Sequence, residues 1–172
     1  MFRLQVVESA RVVLQALSQH QLELCLNDLS ALERELGFAI ASDVIDKNVI
    51  RALNMKIKKM ESADPSQHDW FTYWLIVLRE ENIGVGLIGF KGQPDATGSV
   101  EIGYGISPTY QGRGLMSEAV RVLAAWALNQ AECQCVTATH VTNPASRRLL
   151  EKLGAQLVEE NQSGSSWKME RV

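Results

Sequence analysis

The sequence predicts a mixed α/β domain on a largely antiparallel sheet, one unit over residues 1–172. Three observations carry this. Apolar periodicity switches between the strand and helix repeats in the order β-α-α-β-β-β-α-β-α-β-β, seven strands and four helices. The middle strands follow one another through short turns, so the regular strand–helix alternation of a parallel sheet is missing. Finally, no linker, internal repeat or low-complexity segment divides the 172 residues, of which 46% are hydrophobic and 22% charged. A chain of that size can bury a core without staples.

The elements follow in order. Residues 2–17 hold two short apolar runs, and the second, residues 12–17, reads as the first strand. Ser18 with Gln21 three residues on resembles a capping box, opening a helix whose stripe is Leu22, Cys25, Leu26, Leu29, Leu32 and Leu36 before Gly37 stops it. A second helix near residues 43–60 carries Ile45, Val49, Leu53, Ile57 and Met60. Residues 62–69, polar and containing Pro65, read as a loop. Residues 71–79 and 83–90 form a hairpin around Glu80-Glu81-Asn82, and a Gly/Pro turn leads to a strand at residues 99–106. Helical spacing returns over residues 112–130 with Met116, Ala119, Val120, Leu123, Ala124, Ala127 and Leu128 on one face. A strand at residues 133–141 precedes Asn143-Pro144, an N-cap followed by proline at the first helical position. Leu149, Leu150 and Leu153 are the stripe of that helix and Gly154 its cap; the tail reads as two strands around Asn161-Gln162-Ser163-Gly164. Trp70, Trp74, Trp126 and Tyr104 read as core, although Trp126 lies off the main stripe of its helix and could meet a partner surface.

Charge and cysteine content exclude several classes. A net charge of -3 with no basic face argues against nucleic acid. Lys56, Lys58 and Lys59 alternate with Met55, Ile57 and Met60, as the wet side of a helix does. Cys25, Cys133 and Cys135 are an odd set without a CxxC pair, so neither a disulfide framework nor a metal site is expected. The first residues lack a signal-peptide core and no apolar run reaches membrane-spanning length. A cytoplasmic protein without a membrane partner is the expectation.

Two glycine motifs compete. Gly84-Val85-Gly86-Leu87-Ile88-Gly89 matches GxGxxG, but it lies inside a strand and Pro94 follows, so it does not open a helix as dinucleotide binding requires. Glycine where another backbone comes close explains it better. The second, Tyr110-Gln111-Gly112-Arg113-Gly114-Leu115-Met116-Ser117, stands between a strand and the strongest helix. Unpaired N–H groups, the helix dipole and two glycines suit a phosphate there, and Arg113 adds a positive charge.

Residues 100–114, ending in Gln111-Gly112-Arg113-Gly114, resemble the signature of the GNAT superfamily, Gln/Arg-x-x-Gly-x-Gly/Ala. Gln111 and Gly114 match, whereas Met116 replaces the final small residue. Asn143-Pro144-Ala145-Ser146-Arg147-Arg148-Leu149-Leu150 resembles the family's second cofactor motif, and the Rim-type ribosomal-protein N-acetyltransferase branch is the most similar. The resemblance implies a GNAT fold whose sheet splays between its fourth and fifth strands to admit acetyl-CoA. It also implies that Ile106 and Ser107 contact the pantetheine arm through their backbone. Gln111, Gly112, Arg113, Gly114, Leu115 and Met116 would hold the pyrophosphate, Ser117 would add a hydroxyl, and Asn143 would contact the pantetheine or a water.

The reaction implied is attack of a neutral primary amine on the thioester, with no metal. At pH 7 a lysine side chain is only about 0.04% neutral, whereas an α-amine is roughly 10% neutral. A general base is worth roughly 10²–10⁴-fold. Glu101 stands where many relatives place one. The tyrosine that usually protonates the leaving thiolate is replaced by Leu150, and Ser146, on the inward stripe, takes the place of the Rim-type serine. His140 ends a strand near the expected cleft and reads as structural. The acceptor is expected between the two N-terminal helices and the turn near residues 161–166, and the chain is expected to act as a monomer or homodimer. Three functions stay open: an N-acetyltransferase for a protein N-terminal α-amine, one for a small-molecule amine (aminoglycoside, polyamine or amino acid), and a non-catalytic acyl-CoA-binding module.

Overall fold

The computed structural model describes residues 5–171. Among these residues nine strands form one sheet: β1 (Val6–Glu8), β2 (Val12–Ala16), β3 (Ala39–Ile40), β4 (Tyr73–Leu78), β5 (Ile83–Phe90), β6 (Ser99–Ile106), β7 (Cys135–Val141), β8 (Gln156–Asn161) and β9 (Gly164–Glu170). Their order is β1-β2-β4-β5-β6-β7-β9-β8, with β3 paired parallel to the start of β5. Every other pairing is antiparallel except β6 with β7. The sheet is therefore the largely antiparallel one expected. It has two more strands, because the first apolar run ends in β1 and the short β3 carries no periodic signal; residues 2–4 of that run lie outside the described residues.

Among the described residues six helices flank the sheet rather than four: α1 (Gln19–Asn27), α2 (Leu29–Leu36), α3 (Lys47–Ser62), α4 (His68–Phe71), α5 (Leu115–Leu128) and α6 (Pro144–Lys152). The apolar stripe over residues 22–36 runs through a break at Asp28. Its N–H closes α1 on Leu24 while its carboxylate accepts from Ala31 N and caps α2, as Asp does well. Ser18 and Gln21 form the expected reciprocal cap of α1. In the expected loop, Asp64 and Pro65 start a 3-10 turn (Pro65–Gln67) that runs into α4.

Strand alternation divides the core between the two faces. On β4, Trp74, Ile76 and Leu78 pack with α5, whereas Leu75 and Val77 pack with α1 and α3. Trp126, read as core, packs against the first group, its ring 4.8 Å from Trp70 and 5.1 Å from Trp74. The GxGxxG segment lies in β5, where a Cβ on Gly86 would come within 2.4 Å of Gly105 O, the close backbone approach that glycine allows. Among the described residues the three cysteines are free thiols, no helix is long and apolar enough to cross a membrane, and no group of three or more metal-ligating side chains is gathered.

One feature of the sheet positions the site. β6 and β7 pair only over Ser99 to Glu101 opposite Cys135 to Thr137, and then part. β7 continues against β9 through a bulge between Ala138 and Val141, with His140 exposed at φ 53°. β6 continues against β5 as far as Ile106. The result is a fork whose arms are held by other strands.

Candidate active site

The open edge of β6 lines the fork. Lys91 N donates to Glu101 O at 2.9 Å and Ser107 N to Val85 O at 2.7 Å, so the main chain of the odd-numbered residues is spent on β5. By alternation, the N–H groups of Tyr104 and Ile106 face the open side. The Ile106 N–H is thus unspent on β5, whereas the Ser107 amide is already bonded to it. Ser107 itself is buried, 2% exposed, and its hydroxyl has no partner among the described residues.

A cleft of about 370 Å³ runs from this edge to the start of α5. Ile106, Gln111, Gly112, Gly114, Leu115, Met116, Ser117, Asn143 and Ser146 all line it. Gly114 is the N-cap of α5 in the left-handed region, φ 76°, and offers no side-chain cap, so the N–H groups of Leu115, Met116 and Ser117 have no partner among the described residues. The other long helices are capped by Ser18, Asp28, Asp46 and Asn143. Unpaired amides, a helix dipole and a backbone without Cβ fit a phosphate.

The cations at this end were not those the sequence suggested. Arg113 turns away: its guanidinium lies 5.1 Å from the Tyr110 ring and 3.8 Å from Glu81. Arg11, from the turn between β1 and β2, takes its place. Arg11 Nη2 lies 3.3 Å and Lys152 Nζ 4.0 Å from where a Cβ on Gly114 would sit, and Arg148 also lines the cleft. Arg11 is fixed by Nε to Glu118 Oε2 (2.7 Å) and Nη1 to Arg113 O (2.8 Å). Burial would push the Glu118 carboxyl up, but hydrogen bonds from Ser9 and Arg11 outweigh it and hold it below the usual range. No sequence signal marks a residue about a hundred positions away as part of a glycine loop.

On the other side of β6 is a second cleft, about 580 Å³, lined by Asp43, Asp46, Asn48, Tyr73 and the Gly103–Ser107 segment. Gly103 and Gly105 have nothing within 4 Å of an added Cβ and leave its floor bare. Tyr104, expected in the core, is half-buried and lines both clefts. Its parity is as alternation requires, alongside Val100 and Ile102, but the parting of β7 opens the face it occupies. Burial pushes its phenol up, and the nearby Ser146 hydroxyl offsets part of that. Tyr104 therefore keeps its proton at neutral pH.

Glu101 sits at the closed end of the fork. Its carboxylate pairs with Lys91 Nζ at 2.9 Å and accepts from the Thr139 hydroxyl on β7, and it lines neither cleft. Asn143 Oδ1 accepts from Ala145 N at 2.8 Å, capping α6. Ser146 lines the cleft at the start of α5, whereas Leu150 is fully buried in the core. His140 has no part in either cleft.

A sheet forked between two parallel strands, with a glycine-opened helix at the mouth, leaves an unpaired strand edge leading to unpaired helix amides. The family model described as the acetyltransferase (GNAT) domain matches residues 49–156, and the chain belongs to that family. It is 34% identical over 98 residues, 56% of its length, to YjdG of Bacillus subtilis (strain 168), named as an uncharacterized N-acetyltransferase; the match spans 58% of that protein. Among solved structures it resembles RimL, a ribosomal L7/L12 alpha-N-protein acetyltransferase (TM-score 0.66, 15% identity, 99% of this chain and 96% of that one). RimL in complex with coenzyme A is similar at TM-score 0.64 and 16% identity, over 96% of this chain and 98% of that one. Identities that low bear on the fold.

Proposed function

We propose that this chain is an acetyl-CoA-dependent N-acetyltransferase for primary amines, acting on an N-terminal α-amine of a protein or peptide. The observation that carries the reading is the fork itself: a free β6 edge leading to the unpaired amides of α5. Acetyl-CoA supplies the acetyl group as a thioester. Tyr104 and Ile106 offer main-chain N–H groups to the arm, and the α5 N-terminus with Arg11 and Lys152 holds the diphosphate. Glu101 accepts the amine's proton through water, and the Tyr104–Ser146 pair supplies a proton to the leaving sulfur.

The geometry favours an α-amine over a lysine side chain. Glu101 is tied to Lys91 and Thr139 and does not reach into the acceptor cleft, so deprotonation is indirect. An α-amine is roughly 10% neutral at pH 7 against about 0.04% for lysine, and depends less on the base. The RimL likeness points the same way.

The test is a calorimetric titration with acetyl-CoA, with NADH as control, on the wild type and Gly114→Val. At φ 76° any side chain is strained, and a Cβ would crowd Arg11 Nη2. Wild type should bind acetyl-CoA alone at micromolar strength, and the variant, folded by circular dichroism, should lose at least about tenfold. No binding by wild type removes the reading. Binding without turnover of any amine would leave an acyl-CoA-binding module.

A further inference from the structure

The acceptor cleft continues into a groove of opposite charge. Its near end, beside Gly105, is lined by Asp43 and Asp46, and neither is in an ion pair among the described residues. The unpartnered, buried hydroxyl of Ser107 belongs to the same end, as does Tyr73, whose phenol burial pushes up and the Asp46 charge pushes further. Beyond Tyr73 and Gly103, which line both spaces, the groove is about 190 Å³ and is lined by Lys56, Lys59 and Lys91, with no acidic side chain.

These lysines are differently committed. Lys91 Nζ holds Glu101, and Lys59 Nζ reaches Lys91 O at 3.0 Å. Lys56 Nζ lies over the Tyr73 ring at 4.5 Å and donates to Phe90 O at 2.8 Å, with no carboxylate partner among the described residues. Burial, then the charges of Lys59 and Lys91, lower its pKa to about 7. An anion placed there would relieve that strain of like charge. Between the two charged ends, Gly103 and Gly105 present bare backbone, on which an extended chain rising about 3.3 Å per residue can lie.

We propose that the acceptor is an extended N-terminal peptide with an acidic side chain within the first three residues: its α-amine sits at the Asp43–Asp46 end and its carboxylate in the lysine groove. This rests on the N-acetyltransferase reading and names its substrate class. A polyamine or aminoglycoside would carry its further positive charges into the lysines and is disfavoured. A free dipeptide offers the same carboxylate from its C-terminus, so the source must be separated by blocking that end.

The experiment titrates three C-terminally amidated hexapeptides into the CoA-loaded protein: one with glutamate at the second and third positions, one with alanine there and one with lysine. The acidic peptide should bind about three- to tenfold more tightly than the neutral one, and the basic one most weakly. Lys59→Glu, at an exposed helix position, should erase the acidic preference while acetyl-CoA affinity holds. Lys58→Glu makes the same charge change outside the groove and should leave the preference intact. Asp43→Asn should weaken all three peptides alike. Equal affinity for acidic and neutral peptides, or a preference untouched by Lys59→Glu, would overturn the proposal; so would tighter binding of a free dipeptide than of the amidated acidic peptide. Preferential binding with no turnover of any peptide would remove the catalytic reading and keep this one.

Discussion

Tyr104 and Ser146 line the same cleft, one from β6 and one from the first turn of α6, although they are 42 residues apart in the chain. The fully buried Leu150 is no donor, so the proton for a leaving thiolate must come from elsewhere. A phenol held protonated by burial, beside a hydroxyl in the same cleft, is suited to that task. Tyr104→Phe should lower kcat by about 10- to 100-fold with acetyl-CoA affinity unchanged, and adding Ser146→Ala should cost little more, since the two act as a unit. Strictly additive losses would separate them. Glu101→Gln should lower kcat by about 10²-fold, more with a lysine acceptor than with an α-amine. An equal kcat for Glu101→Gln would make the Lys91–Glu101–Thr139 contact a clasp at the fork's closed end and nothing more.

At the scale of elements, what periodicity encodes was legible: the hairpin of β4 and β5, the stripe of α5, the Asn143-Pro144 start of α6. The glycine loop was legible as a loop, because Gly114 must be left-handed and the helix behind it has no side-chain cap. What lay beyond reading is what other elements bring to it. Arg11 reaches Gly114 only because β1 and β2 pair and their turn meets the first turn of α5 at Glu118. Arg113, adjacent in sequence, is drawn instead onto Tyr110 and Glu81. Tyr104 was misread for a related reason: alternation gives the face of a strand, but whether a neighbour covers it depends on where β7 departs. Arg11→Ala should therefore weaken acetyl-CoA binding by about tenfold, in line with a charge-assisted contact, with a steeper effect at low salt. Arg113→Ala should change it by about twofold or less. The reverse ranking, measured by the same titration, would return the phosphate charge to the loop itself.

For the whole molecule, the sheet separates two cores, and the groove proposed for the acceptor runs along the face of the second, where α3 covers β4 and β5. Lys56 is where that face carries a cost, since an ammonium there is largely removed from water. Its folded pKa of about 7 lies below the unfolded value of 10.5. Between these limits the unfolded chain binds more protons than the folded one, so stability must rise with pH through that window and level off below pH 7. Cys25 acts in the opposite sense: burial pushes its thiol up to about 11 from 9.0, which removes stability as pH climbs above about 9. The clean interval is therefore pH 7 to 9. There the melting temperature of wild type should rise relative to Lys56→Met, by up to about 2 kcal/mol of stability and so several degrees. The comparison is of slopes, because Lys56→Met also orphans Phe90 O and lowers stability at every pH. Parallel slopes would mean that Lys56 is charged throughout, already satisfied by its carbonyl cluster and the Tyr73 ring. A carboxylate in the groove acts on the same equilibrium from the other side: by favouring the ammonium it should flatten the wild-type slope, an effect of the acidic peptide that the neutral one should not reproduce.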